Sequence, residues 1–381
     1  MPSIILLLIS VAILSYLWLQ QETQTPRPRA ILQPGTLDQA VNTTTASVLL
    51  VSAYFPLSIA PRSSSKYLSR IKLFLASVTT DVYFYTTPAY SSFFSELRGD
   101  LPLTINASFS SPFSIPPLQG LESTLENQLA LDRTKQRQRH SPELYAVFAS
   151  KPYLLEQAVI SSGKTYDYVF WVDAGSFNQR NHAYGRWPDP ARVESIFRDG
   201  VVATGRNLEE LFFVPTGRPP HGSMKWWNDG MGTVISDFTE PSYFGGSPRA
   251  IAWWSALFYR YHAHYRLQGV FVGLDQPLIN ALVLMHADRV ITVWHGDPSP
   301  EGGDDSLTDA TCGPPWYYYQ WYFASDEDRA AMSQMWDWQR WWRWLWPAER
   351  CRATSLASMQ SLLKRFFGKG WTPPRSRLSV E

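Results

Sequence analysis

The sequence predicts an α/β domain built on a doubly wound, mostly parallel sheet, and three stretches carry that expectation. Ser47 to Phe55 is a short apolar run suited to a buried first strand. Tyr67 to Ser77 has helical spacing in Leu68, Ile71 and Leu75, and Asp81 to Thr86 reads as a second strand, so strand, helix and strand follow in the order of a parallel crossover. Tyr166 to Phe177 is aromatic and β-branched, and it delivers one carboxylate, Asp173, onto the small residues Ala174 and Gly175. Ligands collect at the carboxyl ends of parallel strands, where such an acid can serve as metal ligand or base; an Asp there also commonly caps a turn.

The remaining elements follow in order. Ser3 to Leu19 is apolar and uncharged, long enough to span a thin bilayer as a helix. Bulky Tyr16, Leu17, Trp18 and Leu19 argue against a cleavage site, so residues 1–19 read as an uncleaved signal anchor. Arg27 and Arg29 favour a cytoplasmic body by charge, whereas glycosylation sequons at Asn42 and Asn106 favour a lumenal one. The balance is taken as a single-pass type II membrane protein with its body in the lumen of the Golgi or endoplasmic reticulum. Residues 20–46, rich in Gln, Thr and Pro, read as a stem. The body is placed at 47–325, with an inserted segment over 100–142, and a Trp-rich, basic extension at 326–381. Within the body, Pro142 to Ile160 and Pro248 to Gln268 read as helices, Leu211 to Pro215 and Val290 to Trp294 as strands, and Gly245-Gly246 as a tight turn.

Composition excludes several classes. The net charge of +1 gives no reason to expect a nucleic-acid partner. There is no Gly-x-Ser-x-Gly elbow, no P-loop lysine and no dinucleotide fingerprint. The cysteines, Cys312 and Cys351, make neither a disulfide framework nor a zinc site; in a lumen they could pair, and the bridge is left open. The 17 Trp crowd toward the C-terminus, with Trp336, Trp338, Trp341, Trp342, Trp344 and Trp346 around Arg340 and Arg343. Such a helix can pack on the domain, lie in a membrane interface or stack on sugars, and indoles on all its sides favour packing.

The blocks "VSAYF", "HSPELYAVFASKPYLLEQAV", "YDYVFWVDAGSF", "WPDPARV", "FGGSPRAIAWWSALFYRYHAHY", "GVFVGLDQPLINAL" and "CGPPWYYYQ" resemble, in order over residues 47–325, a fungal group related to the bacterial HtrL/YibB-type, glycosyltransferase-like proteins. The resemblance implies a GT-A-like fold that binds a nucleotide-sugar donor beside a glycan, protein or lipid acceptor. A departing nucleoside diphosphate needs its charge neutralised, by a divalent ion or by Arg and Lys, and an inverting transfer needs a carboxylate base. Asp173 matches the strand-end metal Asp, here in Asp-Ala-Gly without a second acid, and would hold Mn²⁺ or Mg²⁺ with His295 as a further ligand. Asp275 with Gln276 would be catalytic, the acid as base or acceptor anchor; the same Asp before Gln276-Pro277 also suits a helix cap. Lys151, Gly245, Gly246 and Arg249 would touch the donor, against the plainer readings of a solvated lysine, a turn and a surface arginine. Asp229 and Asp297 are weaker candidates, and His262 and His264 read as structural. Leu274 stands where the family often carries a Lys. The other class of function open to the chain is a non-catalytic glycan- or membrane-binding protein that keeps the fold.

Overall fold

The computed structural model describes residues 45–61, 64–132, 134–177, 185–294, 318–340 and 356–378. The strands are β1 (Val48–Tyr54), β2 (Asp81–Thr86), β3 (Leu103–Asn106), β4 (Tyr168–Val172), β5 (Phe212–Phe213), β6 (Tyr243–Gly246), β7 (Val290–Thr292) and β8 (Ala357–Ser358). They form one eight-stranded sheet in the order β3-β2-β1-β4-β6-β5-β7-β8. The pairs β3–β2, β2–β1, β1–β4 and β5–β7 are parallel. Strand β6 runs antiparallel to both β4 and β5, and β8 antiparallel to β7. The fold is therefore mixed α/β with a mostly parallel sheet, as expected.

Helices cover both faces: α1 (Ser64–Ser77), α2 (Ser91–Arg98), α3 (Glu122–Leu131), α4 (Pro142–Ser161), α5 (Pro190–Thr204), α6 (Pro248–Leu267), α7 (Asp275–Met285), α8 (Asp326–Arg340) and α9 (Met359–Phe367). Because strand side chains alternate, each strand feeds two cores. Leu49, Val51, Val169 and Trp171 face α4, α6, α7 and α9, while Leu50, Phe170 and Val172 face α1 and α5. This double burial explains why β1, β2 and β4 read as continuous apolar runs. Helices α4 and α6 begin as their sequences dictate: Ser141 and Ser247 accept from the third backbone N–H onward, and a proline follows each.

Three expectations change. Gly245 and Gly246 are not a turn but strand residues, paired with Phe170 and Val169 on one side and Phe213 and Phe212 on the other. A Cβ on Gly245 would stand 2.1 Å from the Val169 carbonyl oxygen, so glycine is needed for strand packing. The segment at 100–142 is not wholly an insertion, because its Leu103–Asn106 stretch is the sheet's edge strand. The chain beyond 326 is not all an extension, since β8 and α9 complete the sheet and core. The residues 1–44, with the expected membrane span, stem and Asn42, lie outside the described residues, as do His295, Asp297, Cys312, Cys351 and the Trp341 to Trp346 stretch. Among the described residues, no helix is long and apolar enough to cross a membrane.

Candidate functional site

Two parts of the chain meet at the carboxyl end of β4. Asp173 follows that strand directly, its N–H donating to the Ser242 carbonyl at 2.8 Å as β6 enters antiparallel alongside. Asp275 is the first residue of α7, where its Oδ1 accepts from the Gln276 N–H at 2.8 Å; the N-cap position belongs to Leu274, so the expected Asp275 cap is not formed. Between them lies Lys151, from the middle of α4. Its Nζ is 3.0 Å from Asp173 Oδ1, 2.8 Å from Asp275 Oδ2 and 3.3 Å from the Pro241 carbonyl oxygen. The side chain of Lys151 is only 3 % exposed, whereas Asp173 is 31 % exposed.

Local structure fixes this lysine. Pro152 follows it inside α4 and carries no N–H, which weakens the helical ladder. The Tyr259 hydroxyl from α6 enters there, accepting from Tyr153 N–H at 3.2 Å and donating to the Ala149 carbonyl at 2.8 Å. Beside that break in the ladder the Lys151 ammonium lies near the rings of Phe148 and Trp171, 5.2 and 6.0 Å from their centroids. The Trp171 Nε1 donates to Asp173 Oδ1 at 2.6 Å, orienting that carboxylate from its own strand.

Burial and charge compete at each group. For Lys151, burial lowers the pKa, but the Asp173 and Asp275 carboxylates overcome it and hold the ammonium above its ordinary value. For Asp275, burial raises the pKa more than Lys151 lowers it, and the Asp173 charge adds to the rise. A third acid, Glu240, had no signal in the sequence. It is buried just before β6, and burial with the Asp173 charge pushes its carboxyl up to about 8 against a Ser242 hydrogen bond. Its Oε1 accepts from Ser242 N–H at 3.2 Å, and its Oε2 is buried without a hydrogen-bond partner.

A cavity of about 280 Å³ opens against Asp173. Tyr54 and Phe55 from the end of β1, Tyr67 and Arg70 from α1, and Tyr90 line it together with Gly175 and Ser176. The Tyr54 and Tyr90 rings meet edge to face at 5.1 Å. Arg70 donates to the Gly175 carbonyl at 3.2 Å. Asp275 does not line the cavity; it stands behind Lys151 and is 6 % exposed.

The other candidates lie elsewhere. Gly246 pairs with Val169, at the opposite end of β4 from Asp173, and Arg249 follows it, exposed and 3.2 Å from Glu209. Gln276 donates to the Thr239 carbonyl at 2.6 Å. Asp229 is buried and takes Arg377 at 3.0 Å and the Tyr261 hydroxyl at 3.2 Å, a clasp for the C-terminal segment. His262 is buried, its pKa lowered to about 4 by burial and then by Arg266, in keeping with a structural role. Asn106 sits on edge strand β3, its amide donating to the Tyr83 hydroxyl at 3.1 Å.

A divalent ion at Asp173 meets an obstacle in these contacts. Among the described residues no group of three or more His, Cys, Asp or Glu is placed to share a metal. An ion bound to Asp173 beside Lys151 would meet its charge: at a separation of about 4 Å two unit charges repel by about 4 kcal/mol at an effective dielectric of 20, and a dication by roughly twice that. Among the described residues the donor set at Asp173 fits an ammonium; His295, the further ligand expected for a metal, lies outside them.

No family model matches the chain, and no curated protein sequence matches it either. Among solved structures it is similar to mouse xyloside xylosyltransferase 1 in its apo form, at 8 % identity, TM-score 0.38, covering 64 % of this chain and 84 % of that one. It is also similar to the Mn/GDP form of core-mannan synthase A from Aspergillus fumigatus, at 14 % identity and TM-score 0.39, covering 71 % and 80 %. A third likeness is to the galactosyltransferase LgtC in complex with donor and acceptor sugar analogues, at 10 % identity and TM-score 0.30, covering 61 % and 70 %. Likenesses this loose carry no argument, and the reading of the site rests on its own geometry.

Proposed function

We propose that the protein is a nucleotide-sugar-dependent glycosyltransferase whose donor occupies the cavity beside Asp173. The observation that carries this reading is the join of two surfaces: an aromatic cleft of nucleoside size, holding one arginine, ends on a single accessible carboxylate. Tyr54 and Tyr90 offer ring faces and edges to a base, and Arg70 offers countercharge to a diphosphate. Asp173 then accepts a hydrogen bond from a donor-sugar hydroxyl, or takes the proton of an acceptor hydroxyl as its oxygen bonds the anomeric carbon and the nucleoside diphosphate departs. Asp275 is closed off behind Lys151, so its part is to hold that ammonium, and through it to position Asp173. The resemblance noted in the sequence points to the same class, with a glycan, protein or lipid acceptor. It also implied Mn²⁺ or Mg²⁺ on Asp173 and His295; of these ligands only Asp173 is among the described residues, and there it is paired with Lys151.

The topological part of the proposal is a type II anchor with the body in the Golgi or endoplasmic-reticulum lumen. Its support is the apolar Ser3–Leu19 stretch with the Asn42 and Asn106 sequons. A second reading, a non-catalytic glycan-binding protein, draws on the closure of Asp275. A panel of nucleotide sugars offered to the detergent-solubilised full chain separates the two. Donor turnover that falls about 100-fold in Asp173→Asn is expected. Failure of a folded sample to bind any donor, with glycan binding indifferent to Asp173, would favour the second reading.

A further inference from the structure

We infer that the Lys151 ammonium is the permanent counter-cation of this site, standing between Asp173 and Asp275 where a bridging dication would have to sit, so that the carboxylate pair takes up neither Mn²⁺ nor Mg²⁺. The inference concerns the same cleft and rests on the transferase reading for what the cation is there to serve.

The contacts around the ammonium carry it. Nζ donates to Asp173 Oδ2 at 3.2 Å and to the Pro241 carbonyl at 3.3 Å, and it stands 2.8 Å from Asp275 Oδ2 as an ion pair outside hydrogen-bond geometry. Each carboxylate also has one oxygen already held by a protein donor, Oδ1 of Asp173 by Trp171 Nε1 and Oδ1 of Asp275 by Gln276 N–H. A metal replacing the lysine would therefore find both acids partly committed. The ammonium cannot readily swing aside either, because its side chain is buried against Phe148 and Trp171 in the middle of α4.

Charge bookkeeping agrees with the contacts. Lys151 offsets one of its two partner acids, so the pair with its lysine keeps a single negative charge facing the cavity through Asp173. A compact ammonium does this without a metal's demand for several further oxygen ligands. The charge on a bound diphosphate is then left to groups that reach the cavity, of which Arg70 is the basic one among the described residues. Lys151 acts here as a positioning residue, since Asp173 stands between it and the substrate.

Titration of the metal-stripped full chain with Mn²⁺, followed by the loss of the free-ion electron paramagnetic resonance signal, tests the inference. Wild type is expected to bind no Mn²⁺ that depends on Asp173. Lys151→Gln, one atom shorter, polar and without the charge, is expected to gain on the order of tenfold or more in Mn²⁺ affinity, and adding Asp173→Asn should abolish the gain. A merely structural lysine would produce no such gain. Mn²⁺ binding in wild type that vanishes in Asp173→Asn overturns the inference, as does a folded Lys151→Gln that gains none. Should Lys151→Gln fail to fold, the wild-type and Asp173→Asn pair decides alone. A parallel titration with a nucleotide sugar in EDTA separates the two readings. No donor binding with the Mn²⁺ results intact removes the transferase reading and leaves the counter-cation; donor binding that requires both Mn²⁺ and Asp173 does the reverse.

Discussion

Glu240 shows how a single buried carboxyl records its surroundings in the pH dependence of the whole fold. Its pKa rises from 4.5 to about 8 on folding, chiefly through burial and then through the Asp173 charge. The folded state therefore holds a proton that the unfolded chain releases between those values. Stability from this group is complete below about 4.5 and is lost as the pH climbs through about 8. Glu240→Gln keeps the hydrogen bond to Ser242 N–H and removes the titration. The melting temperature of wild type is expected to fall relative to that variant by a few degrees between pH 5 and pH 9; parallel curves would show that Glu240 titrates normally. None of this was visible in the sequence, where Glu240 before Pro241 and Ser242 looks like an acid in a polar turn. Only the antiparallel entry of β6 beside β4 brings it to Asp173. Lys151 was legible as a candidate but not as a buried one, since its setting depends on tertiary packing, with Tyr259 entering the α4 ladder from another helix.

Among the elements, those that bury both faces announced themselves. Strands β1, β2 and β4 are largely apolar, and α4 and α6 carry serine caps and leading prolines, so their positions fell within a residue or three of expectation. Strand β6 did not, because Tyr243 to Gly246 offers two aromatic residues and two glycines, and adjacent glycines ordinarily mark a turn. Their strand role is a tertiary fact: β4 and β5 press in from both sides. That closeness gives Gly245→Ala a definite outcome. The added methyl would meet the Val169 carbonyl at 2.1 Å and the Phe170 Cα at 2.8 Å, both backbone atoms of a central strand that cannot move aside alone. A loss of about 3 kcal/mol or more is expected, at the upper end of overpacking costs. Gly222→Ala, where a Cβ meets nothing within 4 Å, is the control and should leave the denaturation midpoint nearly unchanged. Equal midpoints for both variants would mean that β6 is not pinned between its neighbours.

At the scale of the whole molecule, the C-terminal segment is the point at which the expected boundaries and the fold part company. A boundary at residue 326 follows from composition, because basic and indole-rich stretches look foreign to a core. Yet β8 pairs with β7, and Met359, Leu362, Leu363, Phe367 and Trp371 are buried in the same core as Trp171 beneath the site. Farther on, Ser376 meets the Tyr261 hydroxyl at 2.7 Å, and Arg377 N–H donates to buried Asp229 at 2.8 Å, tying the segment to α6. A tail that served only to touch a membrane could be removed without cost to the body. A tail that finishes the core cannot, because its loss would expose the apolar face of β7 and the Met224 turn to water. Deleting residues 356–381 is therefore expected to abolish the cooperative thermal transition of the domain. Leu362→Ala, a milder probe of the same packing, should cost about 2–5 kcal/mol. Circular dichroism melts of the two variants decide the matter. A truncated chain that melts like wild type and loses only vesicle binding would return the segment to the membrane surface and leave the core to close without it.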